Sequence, residues 1–236
     1  MNICVLGDSH CAALKRGWEE IHSQFPDCHL TFFASRGITL SNLKVADGKL
    51  WADKPMLQKA ISLSSGGKTT IDIAEYDIFL IYGLQTSANF FDKNMYLSKQ
   101  LKDEWLKGLI QGTAAYKVFN NLRRNTKKFI FVGHAPLLAA DIVKSRELPK
   151  KYLAGIEILN HHHYLSNNAS LVAQPTATIV NGWQTDPIFS IGSKRLNVGV
   201  KGEDESHPAE DKEHMNDNYG KLWMHNFLQL INNLEH

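Results

Sequence analysis

Five short, almost uninterrupted apolar runs, at residues 3–6, 30–34, 78–82, 129–132 and 177–180, limit what this chain can fold into. Runs of four or five residues are too short for buried helices, and they lack the polar alternation of a strand with one wet face. They read as strands buried on both sides. Helical periodicity fills the gaps. Ala13, Leu14, Trp18, Ile21 and Phe25 share one stripe after the first run. Leu97, Leu101, Trp105 and Leu109, then Tyr116, Phe119 and Leu122, suggest one or two long helices between the third and fourth runs. Tyr219, Leu222, Trp223, Phe227, Leu230 and Ile231 form an amphipathic final helix. Strands separated by helices build a parallel sheet covered on both faces. Such sheets bind ligands at the carboxyl ends of their strands.

No Pro/Gly/Ser-rich linker divides the 236 residues, so residues 1–233 are expected to form a single domain. The terminal Leu234-Glu235-His236 resembles the start of an expression tag and is set aside. A net charge of +2 points to neither nucleic acid nor an anionic membrane surface as partner. Cys4, Cys11 and Cys28 are odd in number and fit neither a disulfide framework nor a C-x-x-C metal site. No apolar run approaches a membrane span, and the first run begins almost at Met1, leaving no room for a signal peptide. The expected location is therefore the cytoplasm.

Chemistry enters at the two ends of the chain. The first run breaks into Gly7-Asp8-Ser9-His10, and Asp211-Lys212-Glu213-His214 stands just before the last helix. A serine hydroxyl is a weak nucleophile until a histidine takes its proton and a carboxylate holds that histidine's tautomer. Ser9, His214 and Asp211 supply these three groups, and Ser9 sits at the end of a strand where ligands bind. Each also has a plainer reading. Ser9 is a good N-cap for the first helix, Gly37 a simple turn glycine, and Asp211 and His214 members of a solvated charged stretch. Their joint placement favours the catalytic reading. Asp8 is expected to shape the turn by hydrogen bonding.

Together these residues resemble the SGNH (GDSL-type) hydrolase superfamily, whose short sequence blocks would here span nearly the whole chain. Gly7-Asp8-Ser9 matches the nucleophile block, although His10 replaces a frequent leucine. Gly37, in Ser35-Arg36-Gly37-Ile38-Thr39, matches the glycine block, and Asp211-x-x-His214 matches the last. The third block, usually Gly-x-Asn-Asp, here reads Gly83-Leu84-Gln85-Thr86. The resemblance implies a flavodoxin-like three-layer α/β/α fold with a mostly parallel five-stranded sheet in the order 2-1-3-4-5. It also implies an oxyanion hole built from the backbone N–H groups of Ser9 and Gly37 and the side-chain amide of Gln85. Asn89, one turn further on, is the alternative amide. Losing one such donor costs roughly 3–4 kcal/mol of barrier.

The resulting expectation is a serine esterase that removes an acyl group, acetyl above all, from a small or carbohydrate-linked ester, without metal or cofactor. Acyl transfer to a sugar hydroxyl by the same triad, and a catalytically silent binding module, are the alternatives. Substrate choice is expected in loops at 39–72 and 183–208, with Trp51, Trp183 and Phe189 as candidate sugar-stacking rings. His134, following the fourth run, is a candidate substrate contact. Other motifs fail. Gly66-Gly67-Lys68-Thr69 ends like a P-loop, but Ser62 stands where the first glycine belongs and no strand precedes it. The adjacent His161, His162 and His163 would point in different directions on a helix and cannot all face one ion.

Overall fold

The computed structural model describes residues 1–86, 98–197 and 205–233. Its centre is a five-stranded parallel sheet: β1 (Asn2–Gly7), β2 (His29–Ala34), β6 (Ile78–Tyr82), β7 (Ile130–Gly133) and β8 (Ala169–Val172). The order across the sheet is β2-β1-β6-β7-β8. Counting only these strands along the chain, this is the expected 2-1-3-4-5, and the fold is a three-layer α/β arrangement of flavodoxin type.

The period-2 geometry of a strand explains the three layers. In β1, Ile3 and Val5 face one side of the sheet, while Cys4 and Leu6 face the other. The first side packs against α1 (Cys11–Ile21) and α6 (Asp217–Asn232). The second packs chiefly against α2 (Pro55–Ser64), α3 (Lys99–Gln111), α4 (Ala114–Asn125) and α5 (Lys150–Leu159). All the strands therefore point their carboxyl ends at one edge, with β1 in the middle of the site-bearing half. Cys4, Cys11 and Cys28 are buried and in no disulfide among the described residues, the first two pushed up in pKa by burial. No helix among the described residues is long and apolar enough to cross a membrane.

Three sequence expectations are corrected. The fifth sheet strand is Ala169–Val172, not 177–180. As the edge strand it is buried only on alternate residues, so its sequence carries no continuous apolar run. Pro175 and a 3-10 turn at Thr176–Thr178 leave room only for β9 (Ile179–Val180), which pairs with β10 (Gln184–Thr185) in a small hairpin. The segment 39–72 is not a loop. It folds into β3 (Lys44–Ala46), β4 (Lys49–Trp51) and β5 (Thr70–Asp72), an antiparallel sheet interrupted by α2. In α3 the inward face is Leu106 and Ile110, whereas Leu101 and Trp105 are about half exposed, at 52% and 50%.

Candidate active site

The β1–α1 turn carries the nucleophile candidate. Its first residues are held by Asp8, whose Oδ1 accepts the His10 N–H at 3.1 Å and whose Oδ2 accepts the Leu84 N–H at 2.6 Å. Ser9 is not the N-cap. That position is His10, with no side-chain cap, so the Ser9 hydroxyl is free for another partner. The partner is His214, whose Nε2 lies 3.0 Å from Ser9 Oγ. His214 Nδ1 lies 3.0 Å from Asp211 Oδ2. The three predicted residues thus form one hydrogen-bonded line, joining ends of the chain 205 residues apart.

Local geometry explains the three-residue spacing of Asp211 and His214. Asp211 Oδ1 accepts the backbone N–H groups of both Glu213 and His214 at 2.9 Å, closing a turn that brings its other oxygen beneath the imidazole. Burial alone would raise the Asp211 carboxyl. The hydrogen bonds from the backbone and ring of His214 and from the Glu213 backbone outweigh it, and hold the group below the usual carboxylate range. Asp211 therefore stays an anion beside the His214 ring. Immediately after the turn, α6 begins, capped by Asn216 Oδ1 on the Tyr219 N–H.

Two further histidines surround His214, and neither was read as functional from the sequence. His10 lies with its ring centroid 5.2 Å from that of His214, and burial lowers its pKa against the pull of Asp8. His207 stacks on His214 at 3.9 Å with planes 8° apart, and its Nδ1 is 3.3 Å from Asp211 Oδ2. Burial first, then the neighbouring His214, with Arg195 and Arg36 adding less, pushes His207 down to about 4, against the pull of Asp211.

His207, Asp211 and His214 are the one cluster of potential metal ligands among the described residues. Ring nitrogens bind zinc in the ring plane at about 2.0–2.1 Å. In nearly parallel rings 3.9 Å apart the lone pairs run side by side rather than converge. The cluster fits a hydrogen-bonded relay better than an ion.

The remaining candidates sit along the same edge. Gly37 lies after β2 at φ +60, exposed. The N–H groups of Ser9 and Gly37 donate to no other group among the described residues. Gly83, Leu84 and Gln85 follow β6 with φ of +74, +53 and +63. Left-handed conformation costs leucine and glutamine about 1 kcal/mol or more each. The surroundings impose it: Leu84 donates to Asp8, the Leu84 carbonyl accepts the Ala115 N–H at 2.9 Å, and Thr86 Oγ1 accepts the Ala135 N–H at 2.5 Å. A Cβ at Gly83 would lie 2.4 Å from the Asp8 carboxylate, so nucleophile turn and third block pack directly on each other. Gln85 is exposed at this edge. Asn89 lies outside the described residues. His134, at the end of β7, is 4% exposed and packs against Tyr152, beneath the edge rather than on it. Trp183 is 55% exposed and Trp51 38%, while Phe189 packs against Tyr219.

No protein-family profile matches the chain, and no curated protein matches it. Among solved structures it is similar to the periplasmic domain of a lipopolysaccharide acetyltransferase from Salmonella ser. Paratyphi A. The two are 13% identical over 98% of this chain and 83% of that one, with a TM-score of 0.46. A flavoprotein from Lactobacillus acidophilus NCFM, solved with FMN, is 14% identical over 73% of this chain and 90% of that one, with a TM-score of 0.24.

Proposed function

We propose that this protein is a serine esterase of SGNH type that cleaves a short acyl ester. One observation carries the reading: the unbroken line Ser9 Oγ–His214 Nε2, His214 Nδ1–Asp211 Oδ2, with both links at 3.0 Å, at the carboxyl edge of a parallel sheet. Ser9 Oγ attacks the acyl carbonyl as His214 Nε2 takes its proton, and Asp211 stabilises the imidazolium that forms. The N–H groups of Ser9 and Gly37 receive the developing oxyanion, joined by the Gln85 amide. His214 then protonates the departing alcohol, and water repeats the sequence on the acyl-enzyme. Donors fixed in advance of the charge they stabilise provide most of the acceleration in such sites.

The substrate is small or presents a small ester. At the end of β2, Ser35 and Arg36 line a cavity of about 160 Å³ together with Lys54, Met56, Leu57 and Ala60. A fluorophosphonate probe tests the reading. Mass spectrometry should find the label on Ser9, and His214→Ala should slow labelling severely. A folded protein that takes no label overturns the assignment and makes the domain a silent binding module. Product analysis with a sugar present separates hydrolysis from transfer: an acylated sugar in place of free acid would make the enzyme an O-acyltransferase.

A further inference from the structure

The β9–β10 hairpin holds an indole out in the open. Trp183 is 55% exposed, and its ring and N–H have no partner among the described residues. Its backbone, by contrast, is locked. The Trp183 N–H donates to Val180 O at 3.2 Å. Asn181, left-handed at φ +55, commits its whole side-chain amide to holding the tip. Its Oδ1 accepts the Lys144 and Ser145 N–H groups at 2.7 and 3.1 Å. Its Nδ2 donates to Ile142 O at 2.8 Å and to Gln184 Oε1 at 3.0 Å. Isolated exposed apolar side chains are ordinary on protein surfaces. This one differs in being a flat face on a rigid support, fixed before any ligand arrives.

Trp183 also borders two hollows, which share Ser145, Asn181 and the indole in their walls. One, of about 940 Å³, is further lined by Glu147, Lys150 and Lys151, and the other, of about 440 Å³, by Asp141, Lys144 and Gln184. Ligand pockets span roughly 300–1,000 Å³. An apolar face among hydrogen-bonding groups suits a sugar, whose C–H face lies on the indole while its hydroxyls bond the walls. Charge narrows the class. Asp141 is engaged by Lys212 Nζ at 2.6 Å. Lys144, Lys150 and Lys151 have no ion pair among the described residues, and only the Glu147 carboxylate is left to oppose them in these walls. Lys150 and Lys151 open α5, where the helix dipole disfavours cations, so helix stability does not account for them. We propose that the surface around Trp183 binds an acidic oligosaccharide, with one sugar ring on the indole and a carboxylate among the three lysines. The Asp141–Lys212 pair and the Ala139 N–H on Lys212 O at 2.8 Å fasten this surface to the turn that carries Asp211 and His214. The binding itself does not depend on the esterase reading.

NMR titration tests this, with hexagalacturonate and sialyllactose as acidic probes and maltohexaose as the neutral control. The chain has five tryptophans, each with its own indole N–H signal, and Trp183→Phe identifies the one from Trp183. That signal should shift when an acidic sugar is added. Trp183→Ala should weaken binding roughly 10-fold or more, while Trp183→Tyr, which keeps a flat ring, should lose less. Because the indole is exposed, Trp183→Ala should keep the wild-type Tm, so lost binding cannot be lost folding. Replacing Lys150 and Lys151 together by alanine should weaken the acidic sugars, and added salt should do the same. An unmoved Trp183 signal with both acidic probes overturns the proposal. So does maltohexaose binding as tightly as hexagalacturonate, or single-stranded oligothymidylate binding more tightly than either acidic sugar, which would make Trp183 a base-stacking platform. The titrations read binding alone. A folded protein that takes no fluorophosphonate label would end the esterase reading and leave this result standing.

Discussion

Replacing His134 by leucine should make the protein more resistant to acid. His134 is 4% exposed, and neither ring nitrogen has a partner of hydrogen-bonding geometry among the described residues. Burial pushes its pKa from 6.5 down to about 4, the Ala135 backbone pulling weakly the other way. At neutral pH the ring is uncharged in both folded and unfolded chains, so it adds no pH-dependent term. As pH falls through the unfolded value, the unfolded chain binds a proton that the native state refuses, and stability drops until the folded value is reached. One pKa unit is worth about 1.4 kcal/mol, so the loss is about 2 kcal/mol by about pH 5 and about 3 kcal/mol by about pH 4. Leucine has no such term. Urea unfolding of both proteins at about pH 7 and about pH 5, at constant ionic strength, should show the stability difference shifting by about 2 kcal/mol in favour of His134→Leu. Any packing change made by the substitution is the same at both pH values and cancels. An unchanged difference would refute the burial argument. It would mean that the ring reaches water or a partner, and would restore His134 as a candidate substrate contact.

Ser9→Ala and His214→Ala should each remove nearly all hydrolysis of a short aryl ester, and the double variant should lose little more, because triad members act as a unit; steady-state rates check this. Asp8→Ala leaves the Leu84 and His10 N–H groups without their acceptor, and should destabilise the fold by about 3 kcal/mol in urea melts, with Asp8→Asn costing less. If the Gln85 amide binds the oxyanion, Gln85→Ala should cut kcat roughly 100- to 1,000-fold with little change in KM, and Gln85→Asn should retain more activity than Gln85→Leu. A mild Gln85→Ala beside a crippled Asn89→Ala would move the donor to Asn89. Gly220→Ala would place a Cβ 1.9 Å from Ala13 O, where α6 crosses α1. It should cost about 2 kcal/mol or more, since neither backbone can yield without separating the helices that flank the site.

The sequence determined the parallel sheet and its layers, because strands buried on both faces must be written as apolar runs. It also determined the Asp211–His214 pairing, which is a local turn: one carboxylate oxygen caps the backbone two and three residues ahead, and that spacing shows in the chain itself. It misplaced the fifth strand because an edge strand buries only every second residue and leaves a weak signal. It misread 39–72 because short antiparallel strands and one helix alternate there too quickly for periodicity to register. The inward face of α3 was missed, with Leu106 and Ile110 inward while Leu101 and Trp105 are about half exposed, since a helix rich in apolar residues does not say which stripe its neighbours will cover. Only the tertiary structure decided the rest. Ser9 meets His214 across 205 residues because β1 and α6 converge on one sheet edge. The left-handed turn at Gly83–Gln85 exists because Asp8, from the β1–α1 turn, holds it there. His207 joins Asp211 from a segment with no helical or strand period, and contacts set by neither period nor neighbour in sequence are fixed only when the chain is packed.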